Sequence, residues 1–318
     1  NGEFGARIGT EARRVARHAS VLALQIRRQL ALLTPVLEAA GIPFLLLKGA
    51  AIDRSPLRRT TDLDILIREP DLRAAVGALS DAGYRYVGSA VLWDHERVDP
   101  FASASWNNQF QFQSPRSPVQ VEIHTNLFER DFIRLENLDS LLDNVDLFWE
   151  SCIWDPELGC NIPSPEATLA LLCLHAATKR APAHNTYILR QAVDTATVLD
   201  RGIDLERFLY LCEVWRIHYY VAVSLHLTAR LLNHAAAADI AQQIEPRLTL
   251  QQTLLARVHL RCFQGLREAS LLFRKLYAIW MPFAIGGGPR KTLLWYRQIL
   301  FPPRWQQEGA FGVPRTSP

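Results

Sequence analysis

Asp62-Leu63-Asp64-Ile65 puts two carboxylates at alternate positions of a strand-like run, so both point to one face and can share metal ions. Magnesium prefers hard oxygen ligands and commonly takes one or two protein carboxylates plus substrate phosphates. Glu122, in the alternating run VQVEIHT, offers a third carboxylate from a neighbouring strand. Asp62, Asp64 and Glu122 together suit two Mg²⁺ ions clamping the attacking and leaving oxygens of an in-line displacement at phosphorus. Upstream, Gly49 and Ala50 follow a buried-strand pattern at a turn, where backbone N–H groups can meet phosphate and glycine permits close approach. Lys48 or Arg58 then neutralises phosphate charge. A lone Asp-x-Asp is more often a pair of solvated surface acids, so the weight lies on the combination.

His124 lies two residues after Glu122 and shares its strand face. It is expected to hydrogen-bond and order an acid, with contact to substrate, metal or nucleophile as the alternative. His175 and Lys179, four apart on a helical pattern, share one face and are possible contacts to the base, the triphosphate or an acceptor. Arg190 and Asp194 have the same spacing and read as a structural pair. Trp93 and Phe101 read as packing residues, with an acceptor pocket as the second option.

The elements that position these residues follow from periodicity. Thr10 to Ala40 has apolar positions at helical spacing, including Ile26, Leu30, Leu33 and Leu37, and Gly41 ends the helix. Pro43 to Leu47 is a short apolar run that fits a strand buried on both faces. A second strand is expected over Asp62 to Arg68, a helix over Asp71 to Ala82, and a strand over Tyr84 to Val87. Asn108 to Gln113 and Val119 to Thr125 alternate on either side of Ser114-Pro115-Arg116-Ser117-Pro118, the pattern of a β-hairpin. Past about Asp131 strand patterns give way to helical ones, from Leu135 to Trp149 and again from Glu166 to Phe263. A last amphipathic segment runs from Leu293 to Phe301.

The expectation is an α+β protein. Residues 10–130 form a small mixed β-sheet with an N-terminal helix, and residues 131–318 form a mostly helical second domain. With 318 residues the chain is long enough for two such domains. Its 49% hydrophobic and 21% charged residues exclude a disordered or fibrous chain. A net charge of +3 gives no concentrated basic field, which argues against long nucleic acid as a partner. Lysine is rare, at Lys48, Lys179, Lys275 and Lys291 only, and that singles out Lys48. The five cysteines are scattered, with no CxxC pair, which points to a reducing cytoplasm and away from zinc. No apolar run spans a membrane and no signal peptide opens the sequence. The opening NGEFGAR reads as a trimmed or added terminus, not as part of the fold.

The order LLLKGAAI, then LRRTTDLDILI with Arg58 four residues before Asp62, then DAGY and VEIHTNL, resembles the nucleotidyltransferase superfamily that includes DNA polymerase beta. More closely, it resembles the bacterial family described as uncharacterised nucleotidyltransferases. Weaker matches continue through LLCLHAATK, YILRQAVDTATVL and LLWYRQILFPP. The resemblance implies a nucleotidyltransferase-like domain in which Asp62, Asp64 and Glu122 bind two Mg²⁺ ions and Lys48, Gly49, Ala50 and Arg58 hold a nucleotide. It implies transfer of a nucleoside monophosphate from an NTP, ATP foremost, to a small-molecule, peptide or protein acceptor, with release of pyrophosphate. A non-catalytic nucleotide- or peptide-binding module and a phosphotransferase that yields ADP are the alternatives. The chain departs from the superfamily pattern twice: Ala50 stands where a serine or glycine is usual, and Glu122 where the nearer family often has aspartate.

Overall fold

The computed structural model describes residues 2–52, 62–88, 109–127, 139–178 and 185–264. The chain divides into two compact units, one formed by Asn1–Glu129 with Cys152–Pro163 and the other by Arg130–Ser151 with Ser164–Pro318.

The first unit opens with helix α1 (Gly2–Ala39), which starts eight residues before the Thr10 expected from periodicity. Ile26, Leu30, Leu33 and Leu37 recur every three or four residues and are all buried. Gly41 ends the helix at φ 68°. Its N–H bonds Glu38 O and the Ile42 N–H bonds Leu37 O, a double closure that uses the last carbonyls and requires a left-handed residue. The chain then enters β1 (Phe44–Leu46), the short turn α2 (Gly49–Ile52) and β2 (Asp62–Ile67). Helix α3 (Leu72–Asp81), β3 (Arg85–Gly88), β4 (Gln109–Gln113) and β5 (Gln120–His124) follow. In the β4–β5 turn, Ser114 Oγ accepts from Arg116 N at 3.1 Å and Ser117 Oγ from Val119 N at 3.2 Å.

Among the described residues seven strands form one mixed sheet in the order β3-β4-β5-β2-β1-β7-β6. The two outer strands at one end, β6 (Cys152–Asp155) and β7 (Cys160–Pro163), correct the expectation that strands cease near Asp131. Each is four residues long, too short to show a period, and β7 ends on a proline. Their pairing depends on the turn between them, where Asp155 Oδ1 accepts from Glu157 N at 3.0 Å and Leu158 N at 3.1 Å. β7 then pairs with β1 in parallel, Leu45 opposite Asn161.

Alternation assigns the two faces of the sheet. Phe44 and Leu46 of β1, Leu63, Ile65 and Ile67 of β2, Phe110 and Phe112 of β4 and Val121 and Ile123 of β5 form one buried cluster with the apolar sides of α1 and α3. Asp62, Asp64, Gln111, Glu122 and His124 occupy the intervening positions and share the opposite face.

The second unit is helical in its described part: α4 (Asp139–Asp143), α5 (Val145–Glu150), α6 (Pro165–Thr178), α7 (Asn185–Asp200), α8 (Leu205–Trp215), α9 (His218–Leu232), α10 (Ala235–Ile244) and α11 (Leu250–Gln264). α9 is its central rod, burying Tyr219, Tyr220, Val221, Val223, Leu225 and Leu227 around much of its circumference. Boundaries follow local chemistry. Asp204 caps α8 by accepting from Arg207 N at 3.0 Å, and Arg216 and Asn233 leave α8 and α9 in the left-handed conformation. The mixed sheet followed by helices is the α+β class that the sequence patterns predict. Among the described residues no helix is long and apolar enough to cross a membrane.

Candidate functional site

β2 and β5 run parallel with Asp62 opposite Gln120, Asp64 opposite Glu122 and Leu66 opposite His124. Two acids thus face each other across adjacent strands, and the imidazole two residues further along reaches back to them. His124 Nε2 is hydrogen-bonded to Asp64 Oδ1 at 2.8 Å and lies 3.9 Å from Glu122 Oε2. One ligand atom from each of Asp64, Glu122 and His124 lies within 4.8 Å of the other two, and all three residues are buried. Two carboxylates and an imidazole converging in this way fit a divalent cation. Asp62 precedes Asp64 by two positions on the same face, and its charge acts on the same imidazole. Burial holds the His124 pKa below its ordinary value of 6.5, against the opposing pull of the Asp64 hydrogen bond.

Two further side chains complete the cluster. The Lys48 ammonium is 3.5 Å from Asp64 Oδ1. It is delivered there by the junction between β1 and α2, where Leu47 N donates to Asp64 O at 2.9 Å and ties the end of β1 to β2. Lys48 and Gly49 then turn at φ 48° and 34°, conformations that cost a side-chain-bearing residue and that glycine accepts freely. The Ala51 and Ile52 N–H groups close onto Lys48 O at 2.8 and 3.3 Å. Gln111, on the opposite side of β5 from β2, pairs in register with Glu122 and donates from Nε2 to Oε1 at 2.8 Å.

A family model described as uncharacterised nucleotidyltransferase matches residues 6–233. The chain belongs to that family. Membership implies a nucleotide substrate and, with the Asp64–Glu122–His124 cluster, supports nucleotidyl transfer as the general chemistry. A comparison with curated proteins gives no match.

Within this member of the family, Lys48, Asp64, Glu122 and His124 meet at one place, with Gly49 in the adjoining turn. Arg58, Lys179, Trp93, Phe101 and the Leu293 to Phe301 segment lie outside the described residues. His175 belongs to the second unit, partly buried on α6. Gln111 is the member that sequence reasoning missed. Its signal was the QFQFQ alternation, which sets its side chain on the acid face, but only the β4–β5 register aligns it with Glu122. Burial pushes the thiols of Cys160 and Cys173 up to about 12, so neither is a nucleophile at neutral pH.

Proposed function

We propose that the protein transfers a nucleoside monophosphate from a nucleoside triphosphate, ATP foremost, to a hydroxyl of a small-molecule, peptide or protein acceptor. The acceptor oxygen bonds to the α-phosphorus, the bond from that phosphorus to the β-phosphate oxygen breaks, and pyrophosphate leaves. The observation that carries this reading is the register of Asp64 against Glu122 on adjacent parallel strands, with Asp62 on the same face.

Asp62, Asp64 and Glu122 are assigned to the divalent cations. Bound there, the metal supplies positive charge to the transferring phosphoryl group and acidifies the acceptor hydroxyl. Glu122 is the carboxylate assigned to the acceptor side, where it takes up the hydroxyl proton. The Gly49 and Ala50 N–H groups are assigned to the triphosphate, with Lys48 and Arg58 providing charge as pyrophosphate departs. Ala50 offers no hydroxyl, so that turn binds phosphate through backbone alone.

The deciding experiment incubates the protein with α-³²P- and γ-³²P-labelled ATP, Mg²⁺ and candidate acceptors. Label from the α position on the acceptor together with labelled pyrophosphate supports the reading. γ label on the acceptor with ADP as product replaces it with a phosphotransferase. Mg²⁺-dependent nucleotide binding without either product makes the chain a binding module.

A further inference from the structure

The third member of the buried cluster is a nitrogen donor, and its placement has a consequence for which cation the site prefers. His124 Nε2 lies 2.8 Å from Asp64 Oδ1 and 3.9 Å from Glu122 Oε2. Adjacent ligands of an octahedral ion with bonds of about 2.1 Å stand about 3 Å apart, so these two spacings bracket what one ion requires. The orientation of Glu122 also fits. Gln111 Nε2 occupies Oε1 at 2.8 Å, and Oε2 is the oxygen turned toward the imidazole. His124 itself is 5% exposed, held by β5 with its ring directed back along the strand to the acids and away from bulk water.

We propose that His124 is a direct metal ligand through Nε2, and that this nitrogen shifts the site's preference from Mg²⁺ toward first-row transition ions such as Mn²⁺. Mg²⁺ is satisfied by oxygen ligands, whereas imidazole adds affinity for the softer divalent ions. Coordination uses the Nε2 lone pair. The proton shared with Asp64 therefore leaves Nε2 and the ring takes the tautomer protonated at Nδ1, so that Asp64 Oδ1, still 3.5 Å from the Lys48 ammonium, exchanges the imidazole N–H for the ion. The proposal rests on the metal site of the proposed function, with its own readout in spectroscopy of the resting protein.

The test titrates Mn²⁺ into the full chain without nucleotide, follows free ion by continuous-wave EPR and records electron spin-echo modulation of the bound ion. The expected result is modulation from a directly coordinated ¹⁴N that changes to the ¹⁵N pattern when the protein carries ¹⁵N-histidine. His124→Gln is expected to lose that modulation and to lower the Mn²⁺ over Mg²⁺ affinity ratio by about tenfold. The labelled wild-type protein gives the answer even where this variant does not fold. Asp64-dependent Mn²⁺ binding with no nitrogen coupling overturns the role of His124 and leaves the nucleotidyltransferase reading intact. Mn²⁺ binding that is indifferent to Asp64→Asn overturns the shared metal site, and both proposals with it.

Discussion

The Lys48 ammonium stands 3.5 Å from Asp64 Oδ1 on a backbone turned to φ 48°. A lysine in the left-handed region gives up about 1 kcal/mol that a glycine there retains. The strained turn thus places a cation against the acid that the proposed function assigns to metal. Lys48→Met removes the ammonium and keeps the strain, and is expected to weaken ATP binding by about tenfold. Lys48→Gly loses the ammonium too but relieves the turn, and is expected to unfold at about 1 kcal/mol higher stability than Lys48→Met. Nucleotide titration and urea unfolding of the two variants check both numbers.

The proposed function has Asp64 and Glu122 act on one cation, and removing both is then not additive. Asp64→Asn or Glu122→Gln alone is expected to lower Mg²⁺-dependent transfer on the order of a thousandfold or more, and the double variant to do little worse. Transfer rates that fall by the product of the two single effects would show that the acids work independently.

Gln111→Leu removes the 2.8 Å hydrogen bond that the buried Glu122 accepts at Oε1. The expected loss is about 1–3 kcal/mol of stability, together with weaker metal binding. Gln111→Glu is expected to weaken metal-free stability further, because it sets a second carboxylate against Glu122. Urea midpoints and Mn²⁺ titrations of the pair distinguish a lost hydrogen bond from added repulsion.

His124 and His218 both have pKa values held below the ordinary 6.5 by burial, with Arg247 adding to the effect at His218 and the Glu213 carboxylate opposing it. Below pH 6.5 the unfolded chain therefore binds more protons at these sites than the folded one does. Their contribution to stability is complete above that pH and is lost as pH falls toward the folded values. Between about pH 7.5 and about pH 5.5 the urea midpoint is expected to drop, and to drop less in His218→Gln. An equal drop in the variant would remove His218 from the account.

In the first unit, Gln29 Nε2 donates to Tyr84 Oη at 2.8 Å, joining α1 to the segment before β3. Gln29 is wholly buried. Tyr84→Phe is expected to cost about 1–3 kcal/mol because it strands the amide, whereas Gln29→Leu with Tyr84→Phe is expected to recover much of that. A double-mutant cycle by thermal unfolding measures the coupling.

Much of this architecture could be read from local patterns. Ile26, Leu30, Leu33 and Leu37 mark the buried side of α1, Gly41 marks its end, and QFQFQ and VEIHT mark strands, because periods of 3.6 and 2 are written into consecutive residues. The alternation of Asp62-Leu63-Asp64 likewise puts both acids on one face before any partner strand is known. β6 and β7 escaped because four residues are too few to establish a period, and because β7 is held by β1, more than a hundred residues earlier in the chain.

Consecutive residues were enough to put Asp62 with Asp64, and Glu122 with His124, on shared strand faces as candidates for the chemistry, since side-chain direction along a strand depends only on parity. The tertiary structure alone decided who touches whom. Asp64 meets Glu122 because β2 and β5 are parallel and in that register, and a slip of one residue would put Val121 or Ile123 beside it instead. Lys48 reaches Asp64 because Leu47 N bonds Asp64 O, and Gln111 reaches Glu122 because β4 pairs on the other side. Strand adjacency and register come from backbone hydrogen bonds and core packing between distant segments, which no local run of residues records.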